Sequence, residues 1–289
     1  MFAYLIRKLR DAPVSDEPFR HVSIEDFFSD EHFGAITSAA EIAIGRAEDD
    51  QGLIEALHAA GYREINFPGT TTDLASYIAW HAKRDLDVPE NGAMTNRDLC
   101  EGVGVTLRLQ SARTALIGDL MTFLRSDAWL DAIAAKFAID RAAVYADGGI
   151  QKYLDGYEIS PHADIRAKAL TYMVNINPSD RSADIDYHTH YMRFRREKAY
   201  VQAFWNGNPD LDRCWVPWSW CETVKRQTRN NTIVLFQPAD DTLHAVRARY
   251  DHLETQRTQL YGNLWFHRSR TTGKPSWSDF DVRARIGAA

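Results

Sequence analysis

The run Ile150-Gln151-Lys152-Tyr153-Leu154-Asp155-Gly156-Tyr157-Glu158-Ile159-Ser160-Pro161-His162-Ala163-Asp164 marks a change of texture in the chain. Before it, apolar residues recur mostly at helical spacing. From Gly149 onward they come in short β-type runs, at 150–154, 169–176, 232–237 and 258–266, each bounded by Gly, Pro, Asn or Asp. Helices first and strands afterwards give an α+β protein, with helices buttressing one face of an antiparallel sheet or barrel.

Working outward, residues 18–28 alternate apolar and polar and read as a strand. Ser29-Asp30-Glu31-His32 reads as a helix start, the helix running to about Ile44. Residues 53–60 look helical, with Gly61 as the stop. Asp73 caps a helix through His81, and 103–109 alternates as a strand. Residues 111–124 carry Ala115, Leu116, Leu120, Phe123 and Leu124 at helical spacing, and Ser126-Asp127 caps a further helix to about Phe137. Residues 179–230 are polar but dense in aromatics, with Trp205, Trp215, Trp218 and Trp220 among them.

The whole chain bounds the function. At 289 residues with 45% hydrophobic and 26% charged residues, it is long enough to bury a large core and ordinary for a soluble protein, which excludes a fibrous chain, a disordered tail or a disulfide miniprotein. No stretch reaches the roughly 18 apolar residues of a transmembrane helix, and the basic residues of the first segment follow its apolar run, the reverse of an export signal. A net charge of −6 gives no footprint for nucleic acid. Cys100, Cys214 and Cys221 are odd in number and lack CxxC spacing, which fits a reducing, cytoplasmic setting and no thiolate zinc site. The expectation is one unit over 1–289, without repeats or linkers.

His162 and Asp164 stand two apart, and on a strand that spacing turns both side chains the same way. A capping Asp beside a surface His is the ordinary alternative for such a pair. The residues around it point further. A Tyr-x-x-Gly turn (Tyr153, Gly156) precedes it, and a strand ending Asn175-Ile176-Asn177-Pro178 follows. A later strand, 231–236, leads through a turn to His244, and Arg257 opens the strand after that. Two histidines and a carboxylate make the facial triad of non-haem Fe(II) oxygenases, which leaves coordination positions open.

With these residues in place, the chain resembles the Fe(II)/2-oxoglutarate-dependent oxygenases of the prolyl-4-hydroxylase-like branch. The resemblance covers roughly 148–268 and extends to the strand opening Pro18-Phe19 with His21, and to Asp26-Phe27-Phe28. It implies a double-stranded β-helix (jelly-roll, cupin-like) core over 148–268, mainly helical N-terminal support over 1–147, an insert or lid over 179–230 and a tail over 269–289. It implies His162, Asp164 and His244 as ligands of Fe(II). Arg257 would hold the distal carboxylate of 2-oxoglutarate by a two-pronged ion pair, with Tyr153 beside the co-substrate. Asn175 stands where the family often has Tyr and is a candidate donor to the same carboxylate, a plain strand amide being the alternative. The interval from His244 to Arg257 is longer than usual for the family, which makes Arg247 and Arg249 rivals.

The implied activity is hydroxylation of an unactivated C–H of a small molecule, with O₂ as oxidant and succinate and CO₂ as co-products. Hydroxylation of a protein side chain and a non-catalytic ligand sensor are the alternatives. Related halogenases lack the carboxylate, so Asp164 implies hydroxylation, desaturation or epimerisation. Tyr187-His188-Thr189-His190-Tyr191 is either a second metal pair or structural. Arg166 and Lys168 face either an anionic substrate or solvent, and Arg193, Arg195 and Arg196 read as a solvated face. The segment 204–220 is either an aromatic lid or ordinary packing. Ser160 lacks the Gly-x-Ser-x-Gly setting of a hydrolase nucleophile.

Overall fold

The structure, a computed structural model, describes residues 1–66, 73–83, 104–268 and 271–281. In chain order its helices and strands are α1 (Tyr4–Asp11), β1 (Val14–Ser15), β2 (His21–Ile24), α2 (Asp30–Thr37), α3 (Asp50–Ala59), β3 (Tyr62–Glu64), α4 (Leu74–His81), β4 (Thr106–Leu109), α5 (Ala115–Leu124), α6 (Asp127–Lys136), β5 (Val144–Tyr153), β6 (Glu158–His162), β7 (Lys168–Asn175), β8 (Thr189–Phe194), α7 (Tyr200–Gly207), β9 (Cys221–Arg226), β10 (Ile233–Phe236), β11 (His244–Arg247) and β12 (Arg257–Phe266). The strands form an eight-stranded sheet, in the order β1-β2-β10-β7-β12-β5-β4-β3, and a four-stranded sheet, β6-β11-β8-β9. All the pairings are antiparallel.

Period-two alternation sorts the large sheet into two faces. Leu170, Tyr172 and Val174 of β7, Ile233 and Leu235 of β10, and Leu260 and Leu264 of β12 are buried with α1, α2, α3, α5 and α6 in one core. The intervening residues Met173, Val234 and Phe236 face the other way and pack with Tyr191 of the small sheet. Thr171 on β7 and Arg257 and Gln259 on β12 share that second face, where they line a cavity with His162 and His244 of the small sheet. Gly262 makes room for the side chain of its partner on β7: a Cβ there would fall 2.2 Å from the Tyr172 ring.

The local signals place the helices well and their lengths less well. Ser126, Asp73 and Asp49 each accept a backbone N–H from the first turn of α6, α4 and α3, as capping side chains do. Asp49 starts α3 ahead of Leu53, and Gly61 stops it at φ +98°. The helix expected to reach Ile44 ends at Thr37, where Thr37 and Ser38 hydroxyls bond back to Phe33 and Gly34 carbonyls and turn the chain. The strand expected over 18–28 is ordered as β over His21–Ile24 alone. The strand read at 103–109 is Thr106–Leu109, and Val103 lies outside the described residues. The helix α1 went unread, although Phe2, Leu5 and Leu9 fall on one helical face and are all buried.

The largest departure is inside 179–230, expected as an insert or lid. Its β8 is a central strand of the small sheet, hydrogen-bonded to β11 on one side and β9 on the other. Thr189, Tyr191, Met192 and Phe194 are buried there, and the His-rich spelling obscured a strand. No helix of the described residues is long and apolar enough to cross a membrane.

Candidate metal centre

The turn between β5 and β6 starts the site. Gly156 has φ +78°, and a Cβ there would fall 2.5 Å from the Trp80 ring, so this turn accepts glycine only. β6 then runs buried to His162, and antiparallel pairing sets His162 directly opposite His244 at the start of β11. The two imidazole centroids are 4.3 Å apart. Asp164 follows two residues later, with Oδ1 3.7 Å from His162 Nε2. Two donors about 2.0–2.2 Å from one ion stand at most about 4.4 Å apart, so the pair is close enough to share one. The ligand atoms of His162, Asp164 and His244 all lie within 4.8 Å of one another, and all three residues are buried.

Each histidine is turned for coordination by the residue two before it. His162 Nδ1 donates to the Ser160 carbonyl at 2.9 Å and His244 Nδ1 to the Thr242 carbonyl at 3.0 Å. That commits the hydrogen to Nδ1 and leaves a lone pair on each Nε2, as in metal-bound histidines. Burial pushes the His244 pKa down to about 3, with the neighbouring His162 adding to the effect, so the ring is neutral. Burial alone would raise the Asp164 pKa. The Lys168 ammonium outweighs it and holds the carboxyl well below the usual range. Lys168 Nζ lies 2.6 Å from Asp164 Oδ1, and Thr171 Oγ1 donates to Oδ2 at 2.6 Å.

Arg257 lines the same cavity as these three residues. It is 2% exposed, its guanidinium donates to Thr189 Oγ1 at 3.1 Å, and it lies 4.5 Å from the centroid of the Tyr153 ring. Among the described residues it has no carboxylate partner. A buried guanidinium held only by a hydroxyl and a ring is a site for an anion. Tyr153 lies between the guanidinium and Gln151. The Gln151 amide satisfies both neighbours when its oxygen accepts from Arg108 at 2.9 and 3.1 Å and its nitrogen donates to the phenol oxygen at 2.5 Å, which frees the phenol hydrogen.

The rivals of Arg257 are engaged elsewhere. Arg247 binds the buried Glu158 through Nε and Nη2, both at 2.9 Å, and Arg249 approaches the same carboxylate at 3.6 Å. Asn175 is engaged as a strand amide, the alternative reading: its nitrogen donates to the Gln227 and Arg229 carbonyls and its oxygen accepts from Gln259. It shares the face of Thr171 and Gln259, and its donors are committed to the backbone before the Asn231 turn. Ser160 is 1% exposed and contributes its carbonyl to His162. Arg166 and Lys168 are half-buried and held by partners, and Lys168 also lines the cavity. Arg166 bonds the Leu211 and Trp205 carbonyls and approaches Asp240, while Lys168 is on Asp164. Arg193, Arg195 and Arg196 are exposed.

The His-rich strand builds no second metal site: His190 Nδ1 meets Thr223 Oγ1, and neither His188 nor His190 joins a three-ligand group among the described residues. Such a group does form from Asp50, His81 and His252, unread in the sequence because its members come from three distant segments. There the donors are spent on hydrogen bonds. His252 Nδ1 accepts the Asp155 N–H at 3.0 Å, so its Nε2 carries the hydrogen toward Asp50 at 2.7 Å and has no lone pair to give. His81 lies between Asp50 at 2.8 Å and Asp155 at 3.4 Å. Burial alone would lower its pKa, but the two carboxylates raise it to about 9. This is a charge network that ties α3 and α4 to the turn before β6.

A second cavity, of about 440 Å³, opens beside the first and shares His162, Asp164 and Lys168 with it. Trp215, Tyr261 and Trp265 wall it, and Lys274 crosses the Trp215 ring 3.4 Å from its centroid. Of the aromatic segment, Trp205 is buried packing, Trp215 is cavity wall, and Trp218 donates to Glu158 at 2.7 Å under the Arg247 guanidinium. The segment 204–220 thus combines core packing with one wall of the cavity.

No family model and no curated protein matches the chain. Solved structures similar to it include a Pseudomonas putida prolyl-4-hydroxylase, at 10% identity over 92% of this chain and 100% of that one, with a TM-score of 0.42. A 2OG-Fe(II) oxygenase family protein from Burkholderia pseudomallei is similar at 12% identity over 80% and 99%, with a TM-score of 0.33. HygX from Streptomyces hygroscopicus, solved with nickel, 2-oxoglutarate and hygromycin B bound, is similar at 11% identity over 71% and 81%, with a TM-score of 0.29. All three scores lie below 0.5, and the chemistry of this chain rests on its own residues.

Proposed function

We propose that the chain is an Fe(II)- and 2-oxoglutarate-dependent dioxygenase that hydroxylates an unactivated C–H of a small molecule. One observation carries the reading: two histidines with Nε2 lone pairs and a buried carboxylate converge in a cavity that also holds a buried guanidinium with no carboxylate partner among the described residues. The donor set, two imidazoles and one carboxylate, suits Fe(II) with positions left open. His162, Asp164 and His244 would hold the metal, and Arg257 would pair with the far carboxylate of 2-oxoglutarate, the fork of guanidinium matching a carboxylate. The two sheets enclosing the cavity fit a double-stranded β-helix core with the N-terminal helices as its outer support, in one unit.

The balanced reaction is R–H + 2-oxoglutarate + O₂ → R–OH + succinate + CO₂. Iron would supply the activation of O₂; the chain holds the ligands, the co-substrate and the substrate. Tyr153 supports Arg257 by its ring face and can donate its phenol hydrogen to the co-substrate carboxylate. Asp164 fills the position that a halide would need, so oxygen insertion is favoured over chlorination. The aromatic-walled cavity of about 440 Å³ beside the ligands lies in the size range of small-molecule sites, which favours a small molecule over a protein side chain.

The test is succinate release from 2-oxoglutarate with Fe(II) under air, across a panel of candidate small molecules. Stimulated release that His244→Ala abolishes, with product mass raised by one oxygen in the presence of chloride, is the expected result. Normal turnover in His244→Ala, or a chlorinated main product, overturns the reading.

A further inference from the structure

The carboxylate of Asp164 has two oxygens in different surroundings. Oδ1 is the one that faces His162, at 3.7 Å, and Oδ2 is turned to Thr171 Oγ1 at 2.6 Å. Thr171 is itself engaged from behind. It lies on β7 directly opposite Asn263 of β12, and Oγ1 is 3.1 Å from Asn263 Oδ1. A threonine hydroxyl has one hydrogen, and the shorter contact gives it to the carboxylate. Oγ1 can then only accept from Asn263, which requires the amide to turn its NH₂ toward it. That orientation also gives a partner to an amide nitrogen that is buried and otherwise without one.

We infer that Thr171 is a positioning residue for the metal centre, one link in a donor chain Asn263 → Thr171 → Asp164 Oδ2 that fixes which carboxylate oxygen faces the metal. The inference rests on the metal-site reading of His162, Asp164 and His244. The chain holds Oδ2 out of the coordination sphere and leaves Oδ1 for the ion, so Asp164 binds through one oxygen and the remaining positions stay open for co-substrate. Lys168 contacts Oδ1 and cannot do this, because it competes with the ion for that oxygen. The brace comes from the large sheet, whereas the histidines come from the small one. The geometry of the centre therefore records how the two sheets stand relative to each other. Hydrogen-bond partners of metal ligands of this kind change metal affinity or activity by about 10–100-fold when removed.

The test uses the full chain and Co(II) as the probe, with affinity read by competition against a chromophoric chelator and the ligand field read from the Co(II) absorption spectrum. Thr171→Val keeps the shape and removes the hydroxyl; it should weaken Co(II) binding by about 10–100-fold and alter the spectrum. Thr171→Ser, which restores the hydroxyl, should return both to within about threefold of the parent. Asn263→Ala, which leaves the ligand and the hydroxyl in place, should shift affinity in the same direction as Thr171→Val and by less. Circular dichroism identifies a variant that fails to fold, in which case the Thr171→Ser and Asn263→Ala pair decides. Co(II) affinity and spectrum unchanged in folded Thr171→Val, or in Asn263→Ala where that pair decides, overturn the inference and leave the proposed function standing. A parent protein whose Co(II) binding is unaffected by His162→Ala overturns the proposed function itself.

Discussion

Replacing Arg257 with Met separates binding from stability in a way few substitutions do. The guanidinium is 2% exposed and, among the described residues, has no carboxylate partner, only Thr189 Oγ1 and the Tyr153 ring. In the free protein the side chain is thus a desolvated cation with partial compensation, and an apolar side chain of similar length removes that cost. When a dicarboxylate is bound, breaking the pair leaves the carboxylate uncompensated at a cost of about 3–5 kcal/mol. Every 1.4 kcal/mol is tenfold, so the lower figure weakens 2-oxoglutarate by about 100-fold. At a concentration of about 100 times its Kd, 2-oxoglutarate should stabilise the parent by about 2.7 kcal/mol. The same concentration is then about equal to the Kd of Arg257→Met, which gains only about 0.4 kcal/mol. Anaerobic titration with metal present gives the affinities, and thermal melts with and without 2-oxoglutarate give the stabilities. The expected pattern is a large loss of affinity with a free-protein melting temperature unchanged or raised. Arg247→Ala and Arg249→Ala should bind 2-oxoglutarate normally, because Glu158 already holds both side chains. Normal binding by Arg257→Met refutes the assignment. A sharp drop in the melting temperature of its free form refutes the premise that the cation is only partly compensated.

Buried histidines contribute to the pH dependence of the metal-free protein in two opposite directions. Burial lowers the pKa of His244 to about 3 and those of His188 and His190 to about 4, so the unfolded chain takes up these protons first and stability falls as pH drops below about 6.5. The raised pKa of His81, about 9, contributes stability that is complete below about 6.5 and is lost as pH rises through 9. His81→Asn should therefore lower the melting temperature most near pH 6.5, and the gap from the parent should narrow as pH rises through 9; a gap that stays constant counts against the network. Glu158 is 1% exposed and holds Arg247, Arg249 and Trp218, so Glu158→Ala should cost about 2–3 kcal/mol, reduced because Arg247 keeps contact with water. Proteolysis around Trp218 should rise in that variant, and a double-mutant cycle with Arg247→Ala should return a coupling of about 1–3 kcal/mol; a coupling near zero refutes the clamp.

What the sequence discloses about this site is what local geometry can encode. His162 and Asp164 share a direction because strand side chains repeat every two residues, and that is visible in three letters. His244 and Arg257 are visible for a related reason: each opens a strand, and strand ends are marked by turn residues. The helix caps Asp73 and Ser126 are legible because the bond is made within one turn. Register is a different matter. Nothing local says that His244 stands opposite His162, or that Asn263, 92 residues away, stands opposite Thr171. The same limit hid β8. Its identity as a strand depends on β11 and β9 on either side, and a spelling of alternating Tyr, His and Thr is equally consistent with a polar loop. Asn175 shows a third limit: its strand position is legible, but which partners take the two ends of its amide, here Gln227, Arg229 and Gln259, is not. The residues that bear ligand atoms are thus legible one by one, whereas those that aim them are fixed by strand pairing. Histidines from a register pair of the small sheet meet a carboxylate braced by a register pair of the large one. A shift of one residue in either sheet would turn its members to the opposite face and dissolve the centre without changing a single ligand.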